Sequence, residues 1–374
     1  MVLALTLLKT YIFKGYCSIQ VTQPRRNKQT MTTKFKFLFA SLVLAGITTV
    51  SAQTVGYVSF NFPAGSVAAP KVSAFSLPLR DSVASGFVGS TSGGITGVTS
   101  NTLTSTGAGW TASSLNLAAS PYFVRIKNGT NTAGYTFLIT GNTTEVLTVS
   151  TPVDLTTLGL VTTAGSTQST FEIFPGDTIL SLFGNGTADG SNNTTMGGSS
   201  ATNADVVRVH DGNGFKEYYF NLANNRWQEG GFNRNTVVIY PHMGITYMRR
   251  ATTALDVVIS GVVPDTNLKA YIKNSGASYV SYPFPVDVTL GNSGIQSMPG
   301  WVKADTATAA DNLLIWDGNG WKTYYYHQTN NRWQEGGFNR TTTVIPAGRP
   351  LWIVKKGVAS GTTLWDFTIP YALN

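Results

Sequence analysis

Short runs of alternating apolar and polar residues, divided by clusters of Gly, Asn, Asp and Ser, recur through this chain from Gln53 onward. Successive side chains on a strand point to opposite faces, so a period of two predicts strands with one covered face. The clearest stretch is 122–149. Tyr122, Val124 and Ile126 alternate with their neighbours, and Asn128-Gly129 marks a turn. Tyr135, Phe137 and Ile139 resume the alternation, Gly141-Asn142 marks a second turn, and Val146 opens a third strand. This predicts a β-meander. No segment after Ala52 carries the 3.6-residue period of an amphipathic helix. Abundant Thr, Ser, Gly, Asn and Val with few charges favours strands and turns in the same way. The expected fold class is therefore all-β, built from several β-sandwich or barrel-like modules.

A different pattern precedes Gln53. Lys34 and Lys36 lead into the apolar stretch Phe37 to Val50, and Val50-Ser51-Ala52 supplies small residues. This reads as a secretory signal starting at Met31 and cut after Ala52, with residues 1–52 removed. The stretch is too short to span a membrane, and no second apolar span follows. The expected location is the extracellular space or outer cell surface, with the periplasm as the other compartment. Seven of the 26 basic residues lie before Gln53 and none of the 18 acidic ones, so 19 basic and 18 acidic residues remain. That near balance removes the basic face a nucleic-acid partner requires. The only cysteine, Cys17, also lies in this part, so the rest has no disulfide and no cysteine metal site.

The chain is internally duplicated. Asn-Asn-Arg-Trp-Gln-Glu-Gly-Gly-Phe-Asn-Arg runs from Asn224 to Arg234 and again, unchanged, from Asn330 to Arg340. Between Asp205–Arg234 and Asp311–Arg340, 19 of 30 positions are identical. Phe174-Pro175-Gly176-Asp177 matches Phe284-Pro285-Val286-Asp287, and Arg249-Arg250 matches Lys355-Lys356. A polar loop of some twenty residues, 184–204 and 291–310, follows each opening. A fainter echo links Tyr57-Val58-Ser59-Phe60 to Tyr279-Val280-Ser281-Tyr282. The expected domains are an N-terminal β domain at 53–165, a first β module at 166–265 and a second at 266–374.

Candidate chemistry concentrates in the repeat. Asp211-Gly212-Asn213-Gly214 and Asp317-Gly318-Asn319-Gly320 suit tight hairpin turns. A calcium loop would need an oxygen ligand where Phe215 and Trp321 stand, so no metal or other cofactor is expected. In the identical string, Asn-Asn and Gly-Gly set the reversals. A strand between them places Trp227 and Glu229 on one face and Arg226 and Gln228 on the other, as for Trp333, Glu335 and Arg332 in the second copy. A flat ring beside a carboxylate and an amide is a common way to hold sugars, which makes these residues candidate glycan contacts. The competing expectation is an aromatic plug in the core, with an arginine paired to Glu229 across a hairpin. Exposure of the tryptophans separates the two. His210, His242 and His327 are expected on strands, without catalytic roles. Hydrolase motifs are absent, and Asp205 and Asp211 stand at opposite ends of one strand, too far apart for a carboxylate pair.

Several segments resemble an uncharacterised family of secreted paralogues of Verrucomicrobia-type bacteria. They are Thr106 to Ala112, Tyr122 to Val149, Phe171 to Phe183 and Tyr282 to Gly294. The resemblance implies a secreted, multi-copy surface or matrix protein and carries no assigned activity. The expected function is structural or adhesive and non-catalytic, with a surface or matrix polysaccharide or other copies of the chain as partner. Glycan binding through the repeated Trp, Glu and Arg is the alternative, and a secreted hydrolase is the third.

Overall fold

The computed structural model describes residues 54–374 except 81–93, 212, 213, 358 and 374. The secretory signal expected at residues 1–52 lies outside the described residues. The fold is all-β and sandwich-like, as the alternation predicts.

The two modules have the same plan. In the second, a six-stranded antiparallel sheet runs Gly276–Ser281, Pro350–Lys355, Asn312–Trp316, Trp321–His327, Arg332–Glu335, Phe338–Asn339. A ribbon of Leu268–Lys273 and Thr362–Phe367 covers one face. Between them lies one apolar core that includes Trp333, Trp365, Phe284, Leu313 and Leu351. In the first module the sheet is Lys71–Ser76, Gly244–Arg249, Val206–His210, Phe215–Asn221, Arg226–Glu229, Phe232–Asn233, and the ribbon is Val55–Phe62 with Leu255–Val262.

Strands from both ends of a long stretch thus complete the first module. Phe62 and Phe75 pack in one core with Trp227, Phe183 and Tyr247. The expected 53–165 domain holds two different things: strands that belong to the first module, and a separate seven-stranded sheet with its own core around Val124, Phe137, Leu147 and Ile173. That sheet is an insertion in the first module. The counterpart of Gly276–Ser281 is Lys71–Ser76, so Ser76-Leu77-Pro78 answers to Ser281-Tyr282-Pro283. The echo expected at Tyr57 is therefore displaced; Val55–Phe62 occupies the ribbon place of Leu268–Lys273.

The meander is present as Ser120–Ile126, Thr136–Asn142 and Val146–Ser150. Two details differ. Gly141-Asn142 continue the second strand past a register shift after Ile139, and the reversal follows them at 143–145. Phe123 and Arg125 are buried as well as Val124 and Ile126, because the strand's second face is covered too: Phe123 packs on Phe174 and on Tyr240 of the first module, and Arg125 lies over Phe174. A five-residue helix, Ile179–Phe183, also follows the first opening. Thr178 and Ser181 cap each other's backbone there, and five residues are too few for a periodic pattern.

Each polar loop is pinned from inside by a buried cation. Arg249 and Asp205 form an ion pair at 2.6 Å with both side chains fully buried. Arg249 also donates to the carbonyls of Thr194 (2.8 Å), Gly190 (2.8 Å) and Thr253 (2.9 Å). Asp205 accepts from the backbone N–H of Met196 and Arg250 and from the Tyr247 hydroxyl. Burial, with the Asp205 charge added, holds the Tyr247 pKa well above its ordinary value, so this hydroxyl stays a donor. In the second module Asp311 pairs with Lys355, which also donates to the Gly300 carbonyl and lies beside the rings of Trp301 and Trp365.

The modules meet about a local two-fold relation. Ser76 N donates to Gly348 O at 2.8 Å, and its counterpart Ser281 N donates to His242 O at 2.9 Å. His242 and Gly348 are themselves 106 positions apart, the spacing of the identical string. The two serine hydroxyls meet at 2.9 Å. This is an isologous contact within one chain. At the root of the insertion, Glu172 takes Arg80 at 2.9 Å, with Arg125 and Lys127 at 3.6 and 3.3 Å, and Lys127 also pairs with Asp265.

Arg249→Lys should cost about 2 kcal/mol, because three ammonium protons cannot replace the guanidinium fork, whereas Asp205→Asn, which leaves a buried cation unpaired, should cost about 3–5 kcal/mol. Urea unfolding of both variants beside the unaltered chain checks the size and the order.

Candidate functional site

The identical string is one hairpin with its flanking turns. Asn225 and Asn331 adopt left-handed φ values of 48° and 47°, which asparagine tolerates better than most residues. Arg226–Glu229 and Arg332–Glu335 are the strands. Gly230 and Gly231 have φ of 55° and 83°, as a two-residue primed turn requires, and Gly336 and Gly337 repeat it. Phe232–Asn233 and Phe338–Asn339 return antiparallel. Asn233 Oδ1 then accepts from Asn235 N, as Asn339 Oδ1 does from Thr341 N, at 3.0 Å in each case.

Trp227 and Trp333 are both 0% exposed. Each ring is at the centre of its module core, Trp227 against Phe183 and Phe220, Trp333 against Trp301 and Tyr326. Neither ring can stack on a sugar, so the expectation of glycan contact through them is corrected. The alternation holds, but the face the Trp shares with Glu229 or Glu335 turns inward. Only the glutamates, at the rim, reach solvent: Glu229 accepts from Arg234 Nε, and Glu335 lies 3.0 Å from Arg340 Nε. This is the cross-hairpin pair that the competing expectation names.

Arg226 and Arg332 are likewise committed. With the amide of Gln228 oriented to satisfy both its ends, its oxygen accepts from Arg226 Nε at 2.8 Å and Asn224 Nδ2 at 2.9 Å. Gln334 repeats this with Arg332 Nε and Asn330 Nδ2, both at 3.0 Å. Each buried amide thus finds partners within the string, which explains why polar positions are retained with the aromatic one.

One side chain in the string has no inward task. Phe232 is 68% exposed and Phe338 70%, on the return strand beyond the glycine turn. Arg234 stands 5.6 Å from the centroid of the first ring and Arg340 5.9 Å from the second. The tryptophan is the stronger chemical signal in the string, and it masks these phenylalanines. Their place directly after Gly-Gly, at a hairpin tip, was the available signal.

A second aromatic surface lies at the seam of the modules. Trp352 of the second sheet meets His210 at 5.1 Å and Phe215 at 5.7 Å, both from a hairpin of the first, and stacks on Tyr279 at 4.8 Å. Trp321 touches Tyr279 and Trp316 on the same side. Phe215 is 41% exposed and the three tryptophans are half-buried. Burial, then the charge of Lys273, lowers the His210 pKa, so its ring enters the seam neutral at pH 7. His210 and His327 end strands, as expected, whereas His242 lies in a turn outside any strand.

The aspartates of the repeated Asp-Gly-Asn-Gly stretches close turns. Asp211 Oδ1 accepts from Gly214 N at 3.0 Å, and Asp317 Oδ1 accepts from Asn319 N and Gly320 N at 2.8 Å each. Asp205 is sealed in its ion pair while Asp211 is exposed, so the two form no joint site.

No protein-family model, curated protein or solved structure matches the chain.

The two buried indoles differ in one bond. Trp227 Nε1 donates to Gly184 O at 2.9 Å, while Trp333 Nε1 has no hydrogen-bond partner among the described residues. Trp227→Phe should therefore cost about 1 kcal/mol more than Trp333→Phe, the net value of one hydrogen bond plus the carbonyl left behind. Thermal or urea unfolding of the two variants compares them.

Proposed function

We propose that this is a secreted, non-catalytic surface or matrix protein with an adhesive role, built from two β modules that present matched contact points. The observation that supports this best is the pair Phe232 and Phe338. The string around them is occupied by turns, core and internal hydrogen bonds, yet it twice leaves an identical ring in solvent beside an arginine. A single exposed ring needs no explanation, but here the same ring stands beside the same arginine in both copies, and aromatic and arginine side chains are enriched where partners bind. Two such tips on one chain offer bivalent attachment, in which a second weak contact becomes intramolecular once the first has formed. The partner is a polysaccharide of the surface or matrix, or another copy of the chain. This agrees with the secreted paralogue family that the sequence resembles.

Glycan binding is the second reading, supported by the half-exposed tryptophans of the seam. Flat rings there could take the apolar face of a sugar, as Trp227 and Trp333 cannot. A hydrolase has less support, because the carboxylates of the repeat are engaged in turns and ion pairs.

The test uses the chain from Gln53 carrying Phe232→Ser and Phe338→Ser. Retention on polysaccharide beads, and self-association by analytical ultracentrifugation, are compared with the unaltered chain. At least one should fall tenfold or more with both changes and less with either alone, while the melting temperature moves little. If neither changes, the adhesive proposal fails. Loss of polysaccharide retention on Trp352→Ala, but not on the phenylalanine changes, would favour the second reading.

A further inference from the structure

A cleft of about 270 Å³ opens where the inserted sheet and both modules come together. Tyr135 and Thr136 come from the insertion, Tyr240 and His242 from the first module, and Lys269 and Tyr271 from the second. Three tyrosine rings, a cation and several hydroxyls thus enclose a volume suited to one sugar ring, at the kind of domain junction where ligands commonly bind. None of these residues belongs to the duplicated string.

A smaller cavity of about 20 Å³ shares Thr136, His242 and Lys269 with the cleft and ends at Arg125. It has room for one water-sized group. The Arg125 side chain is only 3% exposed. Its Nε donates to Thr136 Oγ1 at 3.0 Å, while Nη1 makes no hydrogen bond and has Glu172 Oε1 at 3.6 Å as its ion-pair partner. Glu172 balances the charge of Nη1 but stands too far for a hydrogen bond, and a ligand oxygen in the small cavity would supply one.

The local charge points the same way. The ion-paired groups here are Arg80, Arg125, Lys127 and Lys269 against Glu172, Asp265 and Asp366. One positive charge is left over. His242 adds none: desolvation by the surrounding protein lowers its pKa, so the ring is neutral at ordinary pH. Lys269 pairs with Asp366 and lies over the Tyr135 ring at 5.6 Å, which together fix its ammonium at the wall.

We propose that this cleft binds a small ring-shaped carboxylate of monosaccharide size, a hexuronic acid in chemical class. The tyrosines take the ring, and the carboxylate lies between Lys269 and the Arg125 cavity. This is independent of the adhesive proposal, because the hairpin phenylalanines take no part in it.

The probes are sodium glucuronate and galacturonate, with glucose as the neutral isostere, measured by isothermal titration calorimetry on the chain from Gln53. Both or one of the uronates should bind at least tenfold more tightly than glucose. Lys269→Met should weaken uronate binding at least tenfold. Tyr240→Leu, which keeps an apolar contact for Phe123, should also weaken it in a chain that melts normally. Phe232→Ser with Phe338→Ser should leave it unchanged. Absence of uronate binding, equal binding of glucose, or undiminished binding by folded Lys269→Met and Tyr240→Leu chains would overturn the proposal.

Discussion

A carboxylate buried with a cation holds each module together. Without disulfides, a chain rich in polar loops needs another way to fix twenty-residue connections, because loose backbone carbonyls cannot be buried without donors. Asp205 with Arg249, and Asp311 with Lys355, provide this from within. The aspartate gathers backbone N–H groups from the loop and from the strand end, and the cation gathers loop carbonyls. Each partner's desolvation is tolerable only because the other is present and the remaining donors and acceptors are filled. The loops are therefore part of the core in an energetic sense, although their composition is that of surface.

The same device is built differently in the two copies. Arg249 reaches four carbonyls besides its aspartate, and Lys355 reaches one and then rests between two indoles. A planar fork suits many acceptors, and a compact ammonium suits an aromatic cage. The loops could diverge because only the aspartate and a positive charge had to be kept. The hairpin string is the opposite case. Nearly all of its residues bond or pack with one another, so a change at one position disturbs several, and the two copies have remained identical.

Much of the fold was legible in the sequence, and the reasons separate cleanly. Alternation and turn residues located the meander and the hairpin because those signals are local. The ion pair was half visible in the match of Arg249-Arg250 to Lys355-Lys356, but only long-range packing shows that Asp205 and Asp311 are the partners. The burial of Trp227 and Trp333 could not be read, because alternation assigns residues to two faces without saying which is inward. The inserted sheet was hidden for a similar reason. Strand pairing across nearly two hundred residues leaves only a short trace, Ser-Leu-Pro against Ser-Tyr-Pro, and a stronger local likeness at Tyr57 masked it.

The insertion also sets a timetable for synthesis. The inner sheet has all its strands once Pro175 has emerged, and its contacts are short in sequence. The strand Val55–Phe62, made earlier, has no partner until Leu255–Val262 appears. For most of the chain's production it is an unpaired edge, with Phe62, buried in the finished module, still uncovered. The first part to be made is therefore among the last to fold. A pause or truncation before residue 255 would yield a finished inner sheet attached to an open, sticky half-module.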